Sequence, residues 1–295
     1  MKKNDSNKSE KSFSSSSINW YPGHMVKTKN DIKSKIKLID IVIEVLDARI
    51  PVSSHNKEID EIFVGKPKIV VLNKSDLSDM EETKKWKEYY LKNGCQVVIM
   101  NTNNPNNVAE LIAKINEMGK EIYLKKNENK SIEINPIYRV AIVGIPNVGK
   151  STLINKLAKK ESVKVGNKPG VTLKNTWIRI ANNIDLLDTP GILWPRLDDQ
   201  TVALNLASMP AIKEEILDLE EVSIYIINTM LKLYPENIKT RYNITTEEDI
   251  VEILDQIGKK IGAIRNYETD YDKVYTTILK DLREGYLGKV TFDRQ

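Results

Sequence analysis

Arg139-Val140-Ala141-Ile142-Val143 followed by Gly144-Ile145-Pro146-Asn147-Val148-Gly149-Lys150-Ser151-Thr152 reads as a buried β-strand that runs into a glycine-punctuated turn and then opens a helix. Gly144 to Ser151 fit the spacing G-x4-G-K-[ST], in the strand–turn–helix context that makes this spacing meaningful. Glycines there let backbone N–H groups turn inward around phosphate oxygens, at a helix N-terminus whose dipole favours negative charge. Lys150 would reach the β- and γ-phosphates, and the Ser151 hydroxyl would ligate Mg2+. Asn147, Val148, Gly149 and Thr152 complete the candidate phosphate-binding stretch.

Downstream, Asp188-Thr189-Pro190-Gly191 closes the apolar run Ile184 to Leu187. A carboxylate at such a strand end suits a metal's hydration shell, and a Gly191 amide suits the γ-phosphate. In the basic stretch Lys159 to Lys174, Thr172 of Pro169-Gly170-Val171-Thr172 is the candidate second hydroxyl ligand of Mg2+. A loop ordered by γ-phosphate and Mg2+ is a switch, although its lysines equally suit a solvated face. Upstream, Asn73-Lys74-Ser75-Asp76 follows the run Ile69 to Leu72 and fits N-K-x-D. Guanine presents two donors on one edge, which the Asp76 carboxylate can accept together; adenine lacks them, and a polar site left unpaired discriminates strongly. Asn73 would brace the neighbouring loop and the Lys74 stem would lie along the base. Asn101-Thr102-Asn103, after the run Val97 to Met100, is placed for a further base-contacting loop.

Between residues 18 and 208, β-branched runs (41–46, 69–72, 97–100, 140–143, 177–180, 184–187) alternate with helical patterns at 25–39, 81–92, 107–124 and 149–159. Runs apolar on both faces and separated by helices predict a parallel-rich sheet between helices, an α/β class. Lys125 to Ser131 reads as an exposed linker. Residues 1–17, with seven Ser and four Lys, lack the apolar surface to fold and read as a disordered tail. From 209 to 295 the strand signal gives way to helical stripes through Val222–Leu233, Ile250–Ile261 and Tyr271–Leu282, the second preceded by a capping-box pattern from Thr246 to Asp249. A small all-α C-terminal domain is expected. A single cysteine, Cys95, excludes an intrachain disulfide framework. The absence of a long apolar run or an apolar leader favours a cytoplasmic protein with no membrane partner.

The motif order is unusual: N-K-x-D precedes the phosphate loop, Thr172 and Asp188–Gly191. A site built from loops at strand ends depends on their placement in space, so a circular permutation preserves it. With Asp47-Ala48-Arg49-Ile50-Pro51, Trp20-Tyr21-Pro22-Gly23-His24-Met25, Leu187 to Pro195 and Tyr234-Pro235-Glu236, this order resembles the circularly permuted GTPases, and among them the bacterial assembly factors of the large ribosomal subunit. The resemblance covers about residues 18–293. It implies a permuted P-loop GTPase domain followed by an RNA- and ribosome-binding helical domain. It also implies a monomer that binds GTP and GDP, engages the rRNA and proteins of the large subunit in the GTP state, and leaves after hydrolysis. Asn101-Thr102 stands where Asn-Ser is expected, with the hydroxyl retained.

A guanine-nucleotide-dependent switch acting on a protein partner, without a direct RNA role, is the alternative reading. Ile192 occupies the place of the water-orienting glutamine of Ras-like GTPases. His24 is the candidate catalytic group, or else an anchor for the N-terminal segment, and His55 reads as a surface helix-start residue. Asn147 resembles the K+-ligating asparagine of potassium-activated relatives, which implies slow intrinsic turnover stimulated by K+ and by the subunit. Lys259, Lys260, Arg265, Lys280, Arg283 and Lys289 are candidate phosphate contacts, while Tyr271 and Tyr275 have the spacing of core residues. The net charge of +4 conceals +9 up to residue 204 and −5 beyond it, so RNA affinity is expected to come largely from the GTPase unit.

Overall fold

The computed structural model describes residues 30–127, 136–159, 176–181, 183–189, 191, 199–246 and 249–295. Six strands, β1 (Ile41–Asp47), β2 (Lys68–Asn73), β3 (Gln96–Ile99), β4 (Tyr138–Val143), β5 (Thr176–Ala181) and β6 (Ile184–Asp188), form one sheet in the order β3-β2-β1-β4-β6-β5. Every neighbouring pair is parallel except β5 with β6. The most buried strands are central: β1 is buried along its whole length, and β4 at every position except Arg139. That is the pattern of strands covered on both faces.

Alternate residues of β1 serve opposite faces. Val42 packs with Ile32, Phe63, Ala141 and Leu187, beneath the helical residues 30–35 and α1 (Lys57–Ile62). Ile41, Ile43 and Val45 point to the other face, with Leu111 of α3 (Pro105–Lys126) and Leu153 of α4 (Lys150–Lys159). Near the edge, α2 (Met80–Lys92) places Trp86 and Tyr90 against Val70, Leu72 and Val97.

The C-terminal part comprises α5 (Gln200–Ser208), α6 (Leu219–Leu233), α7 (Pro235–Tyr242), α8 (Ile250–Ile261) and α9 (Tyr271–Glu284). Leu206, Ile226, Ile257 and Ile278 belong to the same buried cluster as Ile43 and Ile142 of the sheet, so the hydrophobic interior is continuous through both parts. Aspartates start four of these helices: Asp199, Asp218, Asp249 and Asp270 each accept a backbone N–H from the first turn.

Four expectations need correction. The capping box is absent: Asp249 caps α8 by accepting from Val251 N, and Thr246 Oγ1 instead donates to Glu252 Oε2 at 3.0 Å. Lys125 and Lys126 are the last turn of α3 and not a linker; Lys126 pairs with Asp40 at 2.7 Å. A two-stranded ribbon, β7 (Ile264–Arg265) with β8 (Glu268–Thr269), interrupts the helices. Its turn residues Asn266 and Tyr267 both have positive φ, the conformation of a tight hairpin, but Asn-Tyr lacks the usual glycine signal. Finally, His55 is no plain surface residue, because its ring bridges Glu44 Oε1 (2.8 Å) and Asp60 Oδ2 (2.9 Å), beside Lys68.

Candidate nucleotide site

The phosphate-loop candidate leaves β4 at Gly144 and enters α4 at Lys150. Gly144 has φ +147, and a Cβ there would meet Val45 O at 2.5 Å; Gly149 has φ +103, and its Cβ would run into Asn73 Nδ2. Only glycine fits either position. Asn147 also takes a positive φ of 56°, and Val148 is buried. Lys150 is 7% exposed, with Nζ donating to Gly144 O (2.9 Å) and Ile145 O (2.7 Å). Burial lowers its pKa to about 8 against the opposing attraction of Asp188. The ammonium is thus hydrogen-bonded to two carbonyls at the loop, where the oxygens of a phosphate would be stronger partners. Ser151 and Thr152 follow in the first turn of α4, half-buried and exposed respectively.

Parallel pairing sets Ile142 of β4 opposite Asp188 of β6. Thr189 Oγ1 donates to Ile142 O at 2.6 Å, and a Cβ on Gly191 would lie 2.8 Å from Pro146 Cα. Thr189 is therefore tied to β4, and Gly191 lies against the phosphate loop that follows it. Thr172, His24 and Ile192 lie outside the described residues.

β2 ends at Asn73, whose Nδ2 donates to Val148 O at 2.8 Å and so braces the phosphate loop. Its Oδ1 is buried without a hydrogen-bond partner among the described residues, an acceptor that a ligand could satisfy. Ser75 N donates to Met100 O at 3.1 Å and joins the N-K-x-D loop to the one after β3. There Asn101 Oδ1 accepts from Asn103 N (2.9 Å), while Asn101 N donates to Asn107 Oδ1 (3.1 Å). Asp76 and Asn101, with Ser75, Asn107 and Lys289, line a cavity of about 450 Å3. Thr102 sits half-buried beside Asn101. Asp76 is exposed, so the desolvation that would sharpen base discrimination has to come from the bound base itself.

The sequence pattern did not reveal how Lys74 is held. Lys74 adopts φ +59 and its ammonium lies 2.9 Å from Asp47 Oδ2, while Arg49 forks onto the same carboxylate at 2.9 and 2.8 Å. Burial works against the Asp47 charge, but the two cations outweigh it and hold this carboxyl far below the usual carboxylate range. The signal is present in Asp47-Ala48-Arg49, but no spacing rule assigns Asp47 a partner as distant in sequence as Lys74. Asn147 Nδ2 donates to Pro210 O at 2.6 Å, linking the phosphate loop to the chain beyond α5. Arg283 is likewise structural: it donates to the carbonyls of Ser208 (3.1 Å) and Ala207 (3.0 Å) and pairs with Glu214 (3.0 Å). Tyr275 is buried, while Tyr271 stacks on it with its hydroxyl on Asp255.

A phosphate-binding turn after β4 and an N-K-x-D loop after β2, earlier in the chain and one strand removed across β1, define a circularly permuted P-loop GTPase. Residues 139–266 match the family described as 50S ribosome-binding GTPase. The chain is 48% identical to ribosome biogenesis GTPase A of Bacillus cereus over 94% of its own length and 93% of that protein. It is similar to GDP-bound YlqF of T. maritima (TM-score 0.65, 26% identity, 89% of this chain and 98% of that one) and to the GNP-bound form (0.61, 27%, 91% and 98%). The chain belongs to the ribosome biogenesis GTPase A family, and it is a GTP-hydrolysing enzyme of that family.

Proposed function

We propose that this GTPase is an assembly factor for the large ribosomal subunit, which binds immature subunits in its GTP state and is released after hydrolysis. The observation that carries the reading is the gathering of three loops, those after β4, β6 and β2, at the carboxyl ends of strands in one sheet whose interior is continuous with the C-terminal helices. Asp76 reads the guanine edge, with Lys74, Asn101 and Thr102 around the base. Asn147 to Thr152 cradle the phosphates, Lys150 exchanges two carbonyls for β- and γ-phosphate oxygens, and the Gly191 amide faces the γ-phosphate.

Ser151, Thr172 and Asp188, the last through water, are hard oxygen donors of the kind Mg2+ takes; Ser151 follows Lys150 in the first turn of α4, and Asp188, at the end of the strand paired with β4, is near enough to attract the Lys150 ammonium. When bound, Mg2+ neutralises charge on the β- and γ-phosphates. With Ile192 unable to orient water, the His24 imidazole does so. Asn147 has its amide nitrogen engaged by Pro210, which leaves Oδ1 as the end suited to K+. The protein works as a cytoplasmic monomer whose GTPase unit ends near residue 208, with the helical part contacting rRNA.

Turnover in KCl and in NaCl, each with and without large subunits, tests this. Stimulation by K+ and a larger stimulation by subunits are expected; equal rates in all four mixtures contradict the reading.

A further inference from the structure

The loop that carries Asp76 is fastened from the C-terminus of the chain. Val290 N donates to Leu77 O at 3.1 Å, one residue beyond Asp76, and Phe292 N donates to Arg49 O at 2.7 Å. Thr291 Oγ1 donates to Ala48 O at 3.3 Å. Gly285, which ends α9 at φ +84, presses so closely on Leu77 that a Cβ would lie 2.8 Å from its Cδ2. Two residues beyond Leu77, Asp79 Oδ2 accepts from the Tyr234 hydroxyl at the end of α6, at 3.0 Å.

The far end of the strap is locked by Asp293. Its carboxylate accepts from Val52 N, Ser53 N and Ser53 Oγ, each at 2.7 Å, and from Asn205 Nδ2 at 2.9 Å. Arg49 completes the fastening from the other side. Only 1% exposed, it grips Asp47, which in turn holds Lys74, and its remaining nitrogen donates to the carbonyls of Leu282 (3.5 Å) and Arg283 (3.3 Å) at the end of α9.

We propose that Arg49 and the strap Gly288–Asp293 are positioning elements for base recognition, through which the C-terminal helices set the affinity and selectivity of the N-K-x-D loop for guanine. The proposal rests on the assignment of Asp76 as the base-reading carboxylate. A loop tied to α9 by its backbone at Leu77 and by its lysine through Asp47 and Arg49 keeps its shape only while those helices hold theirs. Coupling is reciprocal, so whatever binds and shifts α9 changes nucleotide affinity, and nucleotide changes affinity for that partner.

The test compares GDP with inosine diphosphate, which lacks the exocyclic amine, on the full chain carrying Arg49→Lys or Asp293→Asn. A lysine keeps the charge but cannot fork between Asp47 and two carbonyls. Both variants are expected to bind GDP about tenfold more weakly and to lose much of the preference for GDP over inosine diphosphate, with turnover at saturating GTP changed by less than about twofold. A residue of merely structural importance would lower the melting temperature and leave the preference intact. Should Arg49→Lys melt below the assay temperature, Asp293→Asn decides. An unchanged preference in the folded variants overturns the proposal. A wild-type protein without any preference would remove the Asp76 assignment, and this inference with it.

Discussion

Two side chains concentrate the chemistry of the site, and each makes a measurable claim. Asp76 is exposed, so the selectivity proposed for it would come from the pairing it offers and the water a base displaces. Asp76→Asn is expected to weaken GDP binding by about 100-fold or more. The same variant should bind xanthosine diphosphate better than wild type does, because xanthine carries a carbonyl where guanine has its amine. Competition titration measures both. Burial lowers the Lys150 pKa to about 8 against the attraction of Asp188, and phosphate oxygens would raise it. GDP affinity is therefore expected to hold steady below pH 7 and to fall as pH rises through 8 and 9, with proton uptake on binding at pH 8. Calorimetry in two buffers of different ionisation enthalpy detects that uptake, and its absence would show that Lys150 is not the phosphate partner. Lys150 and Asp76 were both readable from short spacings because their neighbours in sequence are their neighbours in space. The Asp47–Lys74 and Asn147–Pro210 contacts were not, since each joins segments that the fold alone brings together.

At the scale of elements, apolar periodicity located all six sheet strands, because burial on both faces leaves a strong β-branched signature in β1, β2 and β4. It missed the β7–β8 ribbon, whose two-residue strands are too short to show a period. It also misjudged His55, which precedes the Asn56 cap of α1 and closes that helix onto β1 and β2 through Glu44, Asp60 and Lys68. Burial alone would lower the His55 pKa, but the two carboxylates outweigh it and raise it from 6.5 to about 9. A pKa raised on folding contributes stability in full below the unfolded value, and that contribution is lost as pH climbs through the folded one. Urea denaturation should therefore show wild type more stable than His55→Gln at pH 6. The gap should narrow between pH 6.5 and 9 and level off above that. A gap independent of pH would mean that the pair carries no charge.

Across the whole molecule, the near-neutral charge is a cancellation between a basic N-terminal two thirds and an acidic remainder. The continuous interior means that the C-terminal helices share buried residues with the very sheet that carries the nucleotide loops. Asn147 reaches Pro210, Arg49 reaches α9, and the terminal strap reaches Leu77, so the nucleotide site and the helices form one mechanical unit. Such an arrangement suits a protein whose partner affinity follows its nucleotide. The most direct measurement is co-sedimentation with isolated large ribosomal subunits in a non-hydrolysable GTP analogue and in GDP, at fixed salt and with free RNA as competitor. The protein should pellet with subunits in the analogue, resist the competitor, and stay in the supernatant in GDP. Equal pelleting in both nucleotides, or none in either, would contradict the account.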